Sequence, residues 1–442
     1  MSIKIGLVSL GCPKNQVDGE VLLGKILEDP TYVLCAEPAL CDVVLINTCG
    51  FIDDAKRESI ETILEFCQLK EETGISCVIA TGCLAERYKD EVLKEIPELD
   101  GVVGIGKNAE IISIIEKALD GKKPAEYGSK YDLPMDGPRV LTTPSHYAYL
   151  KIAEGCSNRC TFCAIPSIRG DYRSRKMEEI LKEAKELADF GVKELIIVAQ
   201  DTTRYGIDLY GELKLSALLS ELCKIDGFKW IRLMYCYPDT ITDELLQTIA
   251  NNDKIVKYID IPLQHINDTV LKRMNRKGDG KLIREVVAKI RKTVPGVFIR
   301  TTMIAGFPGE TEEQFEELCE FIGEAKFERL GCFAYSIEEG TPAEKLDGHL
   351  DEEEKIRRSE IVMTKQAFIM GDLGETKVGT VQNVMVDYFD DEDGCYVGRT
   401  CFDAPEIDGM VRFKSDEFYG GGDFVDVKIT AADDFDLYGV EV

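Results

Sequence analysis

The stretch GCSNRCTFC, residues 155–163, spaces Cys156, Cys160 and Cys163 as C-x3-C-x2-C. Three thiolates so close in sequence point to a metal-binding loop. A structural zinc ion takes four ligands in tetrahedral geometry, but no histidine follows the loop closely. His146, His265 and His349 do not repeat its spacing. An iron–sulfur cluster is the other option: four irons held by only three protein thiolates leave one iron open to a small molecule. A second set, Cys12, Cys49 and Cys83, is scattered, each residue following an expected strand: Leu10-Gly11-Cys12, Asn47-Thr48-Cys49 and Thr81-Gly82-Cys83. In a parallel sheet such positions share the carboxyl edge, where ligands bind, so three thiolates could converge there. Against this, cysteine is small, apolar and common in packed segments, and Cys35, Cys41, Cys67 and Cys77 lie in the same region.

The elements that must position these residues fall into three segments and a linker. Residues 1–125 alternate apolar runs with amphipathic ones. Strands are expected at Ile3–Leu10, Asp42–Thr48 and Ser76–Thr81, with helices at Val17–Leu27, Ala55–Leu69 and Ala85–Glu95. That alternation predicts a doubly wound α/β domain. Residues 126–143 lack periodicity and are expected to be a linker. Residues 144–371 resume the alternation, with strands expected at Ala148–Ala153, Glu194–Ala199, Trp230–Tyr235, Tyr258–Ile261, Phe298–Ile304 and Arg329–Tyr335. Helices are expected at Met177–Phe190, Glu244–Asn251, Glu312–Ala325 and a closing Glu353–Met370. Six β/α units predict a partial barrel, short of the usual eight. Residues 374–442 carry short strand signals at Thr380–Phe389, Tyr396–Phe402, Met410–Lys414 and Phe424–Thr430, punctuated by Gly, Asp and Pro. A small antiparallel β-barrel of the oligonucleotide-binding type is expected there.

With 442 residues and 44% apolar content, the chain can form several cores, and no apolar run approaches the roughly 18 residues of a spanning helix. Leu10-Gly11-Cys12 faintly echoes a lipoprotein cleavage box, but the apolar stretch before it is very short, and it is read as a first strand. Sixteen cysteines without an export signal point to a reducing cytoplasm. The net charge of −28 disfavours a phosphate-binding surface and favours a basic partner. From Gly371 to Val442 there are 18 acidic and 5 basic residues, a balance of −13.

Other stretches have bland explanations beside functional ones. Ile304-Ala305-Gly306-Phe307-Pro308-Gly309-Glu310 suits a tight barrel turn. Gln200-Asp201-Thr202-Thr203 follows a strand at the barrel face that usually carries catalytic groups. Arg169, Arg173, Arg175 and Lys176 form a basic run expected to face solvent or cofactor, and Asp390–Asp393 an exposed turn.

The C-x3-C-x2-C loop after the first strand of a β/α barrel resembles the radical S-adenosylmethionine (SAM) superfamily. Together with Ser9-Leu10-Gly11-Cys12-Pro13-Lys14-Asn15, Ile46-Asn47-Thr48-Cys49-Gly50-Phe51, Thr81-Gly82-Cys83 and Ile168-Arg169-Gly170-Asp171, it is similar to the methylthiotransferase family over the whole chain. The resemblance implies an N-terminal methylthiotransferase domain, a radical SAM barrel and a C-terminal TRAM domain. It implies two [4Fe-4S] clusters, one on Cys156, Cys160 and Cys163 that binds and reductively cleaves SAM, and one on Cys12, Cys49 and Cys83 that delivers sulfur. Cys35, Cys41, Cys67, Cys77, Cys223, Cys236, Cys319, Cys332, Cys395 and Cys401 match no ligand position and are expected to be packing residues.

The family divides by substrate. One branch methylthiolates an adenosine in transfer RNA; another modifies the β-carbon of an aspartate in the twelfth protein of the small ribosomal subunit. Gly11-Cys12-Pro13-Lys14-Asn15, Cys49-Gly50-Phe51-Ile52-Asp53-Asp54-Ala55-Lys56 and Ala432-Asp433-Asp434-Phe435-Asp436-Leu437 resemble the second branch. The acidic C-terminal segment fits a basic ribosomal protein, free or in the assembled subunit, better than nucleic acid. An electron donor is implied as a further partner. Outside this reaction class stands a non-catalytic, zinc-stabilised nucleic-acid-binding protein.

Overall fold

The computed structural model describes residues 2–442, which form two compact units. The first is the chain up to Thr142 together with residues 153–175 and 338–341; the second is residues 143–152, 176–337 and 342–442.

The first unit is built on a six-stranded parallel sheet. Its strands run in the order Tyr32–Leu34, Ile3–Ser9, Val43–Thr48, Cys77–Gly82, Gly101–Val103 and Ala125–Glu126. Val43–Thr48 and Cys77–Gly82 are buried along their whole length. One face packs Val44, Ile46, Val78 and Ala80 against Ile63 and Leu84; the other packs Val43, Leu45 and Ile79 against Leu22 and Ile114. Burial on both faces explains the near-continuous apolar runs, and the doubly wound layout is as the sequence predicts.

The first helix, Pro13–Ile26, starts a turn earlier than the apolar periodicity indicates, because Pro13 at its first position is pre-set for helical φ and needs no N–H. The helix expected over Ala85–Glu95 is two, Cys83–Tyr88 and Asp90–Glu95, broken at Lys89 with φ +49°. Residues before the barrel are pinned at one end. Buried Glu20 accepts from Arg139 Nε at 2.6 Å and from the Thr142 N–H and Oγ1 at 2.7 and 2.8 Å.

The second unit holds six parallel strands in chain order: Tyr147–Lys151, Glu194–Val198, Trp230–Leu233, Ile255–Asp260, Phe298–Ala305 and Arg329–Ala334. The first is shorter than expected. Ala153–Glu154 is a separate strand, paired antiparallel with Arg173–Ser174. That strand pair belongs to the first unit, and Gly155 follows it with φ +73°, where a Cβ would lie 2.3 Å from the Asp171 carbonyl oxygen.

The closing helix, Glu352–Glu375, leads to a closed five-stranded barrel of Val381–Asp390, Cys395–Thr400, Val411–Lys414, Phe424–Ala432 and Leu437–Glu441. Its pairs are antiparallel except Val411–Lys414 with Leu437–Glu441, which run parallel. Val384, Val386, Val411, Phe413, Val427 and Ile429 fill it.

This small barrel is joined to the β/α barrel by buried ion pairs. Arg399 reaches Glu194 at 2.7 Å and Asp387 at 2.9 Å, and Arg232 reaches the other oxygen of Glu194 at 2.6 Å. Arg329 pairs with Asp403 at 2.5 Å, and Tyr258 donates to Asp408 at 2.6 Å.

Candidate metal centre

The scattered triad gathers because three strands end level. Ser9 stands opposite Asn47, and Asn47 opposite Thr81. Cys12, Cys49 and Cys83 each follow that row within three residues, so all leave the sheet at one carboxyl edge. Cys49 and Cys83 are buried and Cys12 half-buried. Gly11, at φ +88°, lies so close to Cys49 that a Cβ would sit 2.7 Å from its sulfur. Burial pushes the Cys49 thiol up to about 12, with Cys83 and Cys12 adding to the shift. Burial likewise pushes Cys83 up, while Arg169 opposes it.

Polar side chains fix the edge. Asn15 Nδ2 donates to the carbonyls of Leu10, Asn47 and Thr48 at 2.9, 3.2 and 3.3 Å. Asn47 Nδ2 returns a bond to the Asn15 carbonyl at 2.7 Å and another to Ser9 Oγ at 3.1 Å. Ser59 Oγ accepts from the Cys49 N–H at 2.9 Å and donates to its carbonyl at 3.0 Å. These bonds satisfy backbone groups that the ended ladder leaves open.

The compact triad lies in the same unit, on residues 153–175. Cys156 and Cys160 are buried and Cys163 half-buried. The Cys156 N–H donates to the Gly170 carbonyl and the Cys163 N–H to the Cys160 carbonyl, both at 3.1 Å. Arg159 holds φ +55° within the loop and pairs with Asp171. The helix Ile165–Arg169 follows directly, and its Ile168, with Ala164 before it, packs on Cys83 of the other triad.

Arg169 departs from the solvent-facing reading of its basic run. Expected on a solvent- or cofactor-facing run, it is 1% exposed. Its Nη1 pairs with Asp18 and lies 3.5 Å from Glu154. Its Nη2 donates to Asn15 Oδ1 at 2.9 Å and to Cys83 Sγ at 3.0 Å. Burial alone would lower its pKa, but Cys83, Asp18 and Glu154 outweigh it and hold the guanidinium firmly charged. A usable signal was present: Asn15 and Asp18 are three apart on the helix after Cys12, one face offering an amide oxygen and a carboxylate. Arg175 is also buried, on Asp136 at 2.6 Å, and Arg173 donates to the carbonyls of Tyr131 and Lys130 at 2.6 and 3.0 Å. Lys176 alone of the run is exposed.

The remaining marked stretches are tied into the second unit. Glu310 accepts from the Gly306 and Phe307 N–H groups and from Arg358 at 2.7 Å, which braces the turn after Phe298–Ala305. Thr203 Oγ1 donates to Asp201 at 2.8 Å and accepts from the Tyr237 N–H at 3.0 Å, strapping two neighbouring loops. Asp391–Asp393 is exposed, with Asp390 half-buried beside it.

Among the described residues no group of three His, Cys, Asp or Glu side chains is arranged around a single metal ion. A cluster makes a different demand, since each thiolate binds its own iron. The donor set fits that demand: three thiols, two of them buried, which would repel one another as thiolates, are gathered with one fixed cation. No helix among the described residues is long and apolar enough to cross a membrane.

Comparisons with known proteins agree with this architecture. Residues 150–322 match the Radical SAM superfamily, residues 4–104 the Uncharacterized protein family UPF0004, and residues 378–442 the TRAM domain. The radical SAM methyltransferase TsrM from Kitasatospora setae shares the fold at a TM-score of 0.56 and 14% identity, covering 86% of this chain and 78% of TsrM. Fold and domain content thus define an enzyme of the radical SAM class. A ribosomal protein uS12 methylthiotransferase RimO of Thermoanaerobacter sp. (strain X514) is 53% identical over 98% of this chain and 99% of its own. The RimO of Clostridioides difficile (strain 630) is 49% identical over 99% of this chain and 98% of its own. The chain belongs to the RimO family of methylthiotransferases.

Proposed function

We propose that the protein methylthiolates the β-carbon of an aspartate in ribosomal protein uS12. The observation that carries this beyond family membership is local. Two cysteine triads lie in one compact unit, and the helix after the second packs on Cys83 of the first. In this reading residues 1–125 hold one [4Fe-4S] cluster on Cys12, Cys49 and Cys83. Residues 144–371 hold the other on Cys156, Cys160 and Cys163, and residues 374–442 attract the substrate.

When bound, the clusters and SAM supply the one-electron chemistry and the sulfur that replacing an unactivated C–H bond requires. The chain itself does the positioning. Three thiolates per cluster leave one iron open in each. The level strand ends and the Asn15 and Asn47 bonds set where the first cluster is held. Cys49 and Cys83, both buried, would hold it on a side shielded from water. The exposed carboxylates at Asp391–Asp393, Asp416 and Glu417 favour a Lys- and Arg-rich partner over a phosphate backbone. A basic ribosomal partner, reduced thiols and an external electron donor belong together in the cytoplasm.

The test is anaerobic incubation of the reconstituted protein with SAM, a reductant and either uS12, small ribosomal subunits or transfer RNA, followed by mass spectrometry. One methylthio group on a uS12 aspartate is expected. Its appearance on a transfer-RNA adenosine instead would overturn the substrate assignment, and no transfer to either would overturn the activity.

A further inference from the structure

A cation reaches a cysteine of the scattered triad by a hydrogen bond, and it comes from the other triad's loop. Arg169 ends the helix that follows Cys163, and all four of its contacts are specific. Asp18 takes one guanidinium nitrogen, with Glu154 3.5 Å away. The two N–H groups of the other nitrogen go to Asn15 Oδ1 at 2.9 Å and Cys83 Sγ at 3.0 Å. Asn15 in turn holds three carbonyls of the sheet edge, so the fork is aimed by a rigid partner.

A planar guanidinium donates in a fixed fork, and one whose second nitrogen is bound on both sides cannot swing away from the sulfur. A hydrogen bond from a charged donor to a thiolate withdraws electron density from the sulfur. It therefore favours whichever state of an attached cluster is more negative. Reduction adds one electron and one negative charge to the cluster; the N–H proton stays on nitrogen throughout.

We propose that Arg169 is a positioning and tuning residue for the Cys12/Cys49/Cys83 cluster: through its bond to Cys83 it raises that cluster's reduction potential, and it does so from the loop that carries the other cluster. The inference rests on the cluster assignment above.

The experiment uses the full chain, reconstituted anaerobically with iron and sulfide. Cys156, Cys160 and Cys163 are changed to Ala so that one cluster remains, at about four irons per chain. Reductive titration followed by electron paramagnetic resonance compares Arg169 with Arg169→Gln and Arg169→Lys. At the midpoint of the parent, Arg169→Gln is expected to lower the reduced-to-oxidised ratio about tenfold, which is about 59 mV for one electron. Arg169→Lys, keeping the charge but not the fork, is expected to lower it less. In the converse background, with Cys12, Cys49 and Cys83 changed to Ala, the ratio should move less than about twofold.

A ratio unmoved in both Arg169 variants, with iron content intact, overturns the proposal. Equal shifts of both clusters overturn it too, since that is what a general disturbance of the loop would give. Should Arg169→Gln fail to hold iron, Arg169→Lys decides alone: a lowered ratio supports the proposal and an unmoved one overturns it. A parent that holds no cluster overturns the assignment and the inference with it, whereas a loaded cluster of unmoved potential overturns the inference alone.

Discussion

At the scale of single residues the two triads are not equivalent, and substitution should separate them. Each of Cys12→Ala, Cys49→Ala and Cys83→Ala is expected to lose about half the bound iron and all methylthiolation while still cleaving SAM. Cys156→Ala, Cys160→Ala and Cys163→Ala should lose the cleavage as well. Iron analysis and quantification of cleaved SAM distinguish the two groups, and full methylthiolation by Cys83→Ala would end the scattered-triad assignment. Asn15 is expected to matter to the same site. It is 1% exposed and serves three carbonyls and Arg169. Asn15→Ala removes one hydrogen-bond partner from each of those groups in a buried place, so a loss of about 1–3 kcal/mol is expected in denaturant unfolding. Iron loading should fall at the Cys12/Cys49/Cys83 site first.

At the scale of elements the joint between the β/α barrel and the small barrel is built on buried charge. Arg399 is 2% exposed and shared by Glu194 and Asp387. Arg399→Met takes one partner from buried Glu194, which keeps Arg232, and one from half-buried Asp387, which keeps His146, and is expected to cost about 2–3 kcal/mol. Arg357→Ala, which breaks exposed pairs with Glu312 and Glu354, should leave stability nearly unchanged. The joint is also acid-sensitive. Burial pushes Asp387 up, but His146 and Arg399 outweigh it and hold its carboxyl below the ordinary 3.8. Burial pushes Glu194 up, and Arg232 and Arg399 hold it below 4.5. Depressed carboxylates stabilise at neutral pH, and that contribution is lost as pH falls through their folded values. Asp408, held up by burial against Arg300 and Arg329, opposes them. Unfolding followed below pH 4.5 should therefore show a shallower acid slope in Arg399→Met than in the parent. The long strands, the helix Glu352–Glu375 and the order of the segments were legible from periodicity, because burial on both faces writes continuous apolar runs. Gly101–Val103 and Ala125–Glu126 were not, since three and two residues carry no period. Leu437–Glu441 was hidden by its mixed burial and closes the barrel only through partners far away in sequence. The gathering of Cys12, Cys49 and Cys83 could be read because each follows a strand of one parallel sheet. The burial of Arg169 was written only indirectly, in Asn15 and Asp18 on the helix after Cys12, because a local run of basic residues says nothing of the buried acids that await it.

At the scale of the whole molecule the question is what the acidic balance is for. Of the −13 carried by residues 371–442, part is internal: Asp387, Asp403 and Asp408 face Arg399, Arg329 and Arg300. Those charges stabilise the joint and cannot attract a partner. What faces water includes Asp391, Glu392, Asp393, Asp416 and Glu417, with exposed Tyr388, Phe389 and Phe418 among them. Carboxylates interleaved with aromatic rings suit Lys and Arg, through ion pairs at the rim and cation–π contact beside them. If this face steers the substrate, its charge should act on encounter rather than on chemistry. Asp391→Lys, Glu392→Lys and Asp393→Lys together reverse the local sign without touching a buried pair, and break the exposed contact of Arg412 with Asp393. At low ionic strength kcat/KM for uS12 is expected to fall about tenfold, with kcat at saturation nearly unchanged. The gap between variant and parent should close as salt rises toward about 0.5 M, where the Debye length shrinks to a few ångströms. A loss that persists at high salt would assign the face to folding or to chemistry. An unchanged kcat/KM would mean that the surface charge keeps the protein apart from its neighbours and leaves docking to other elements.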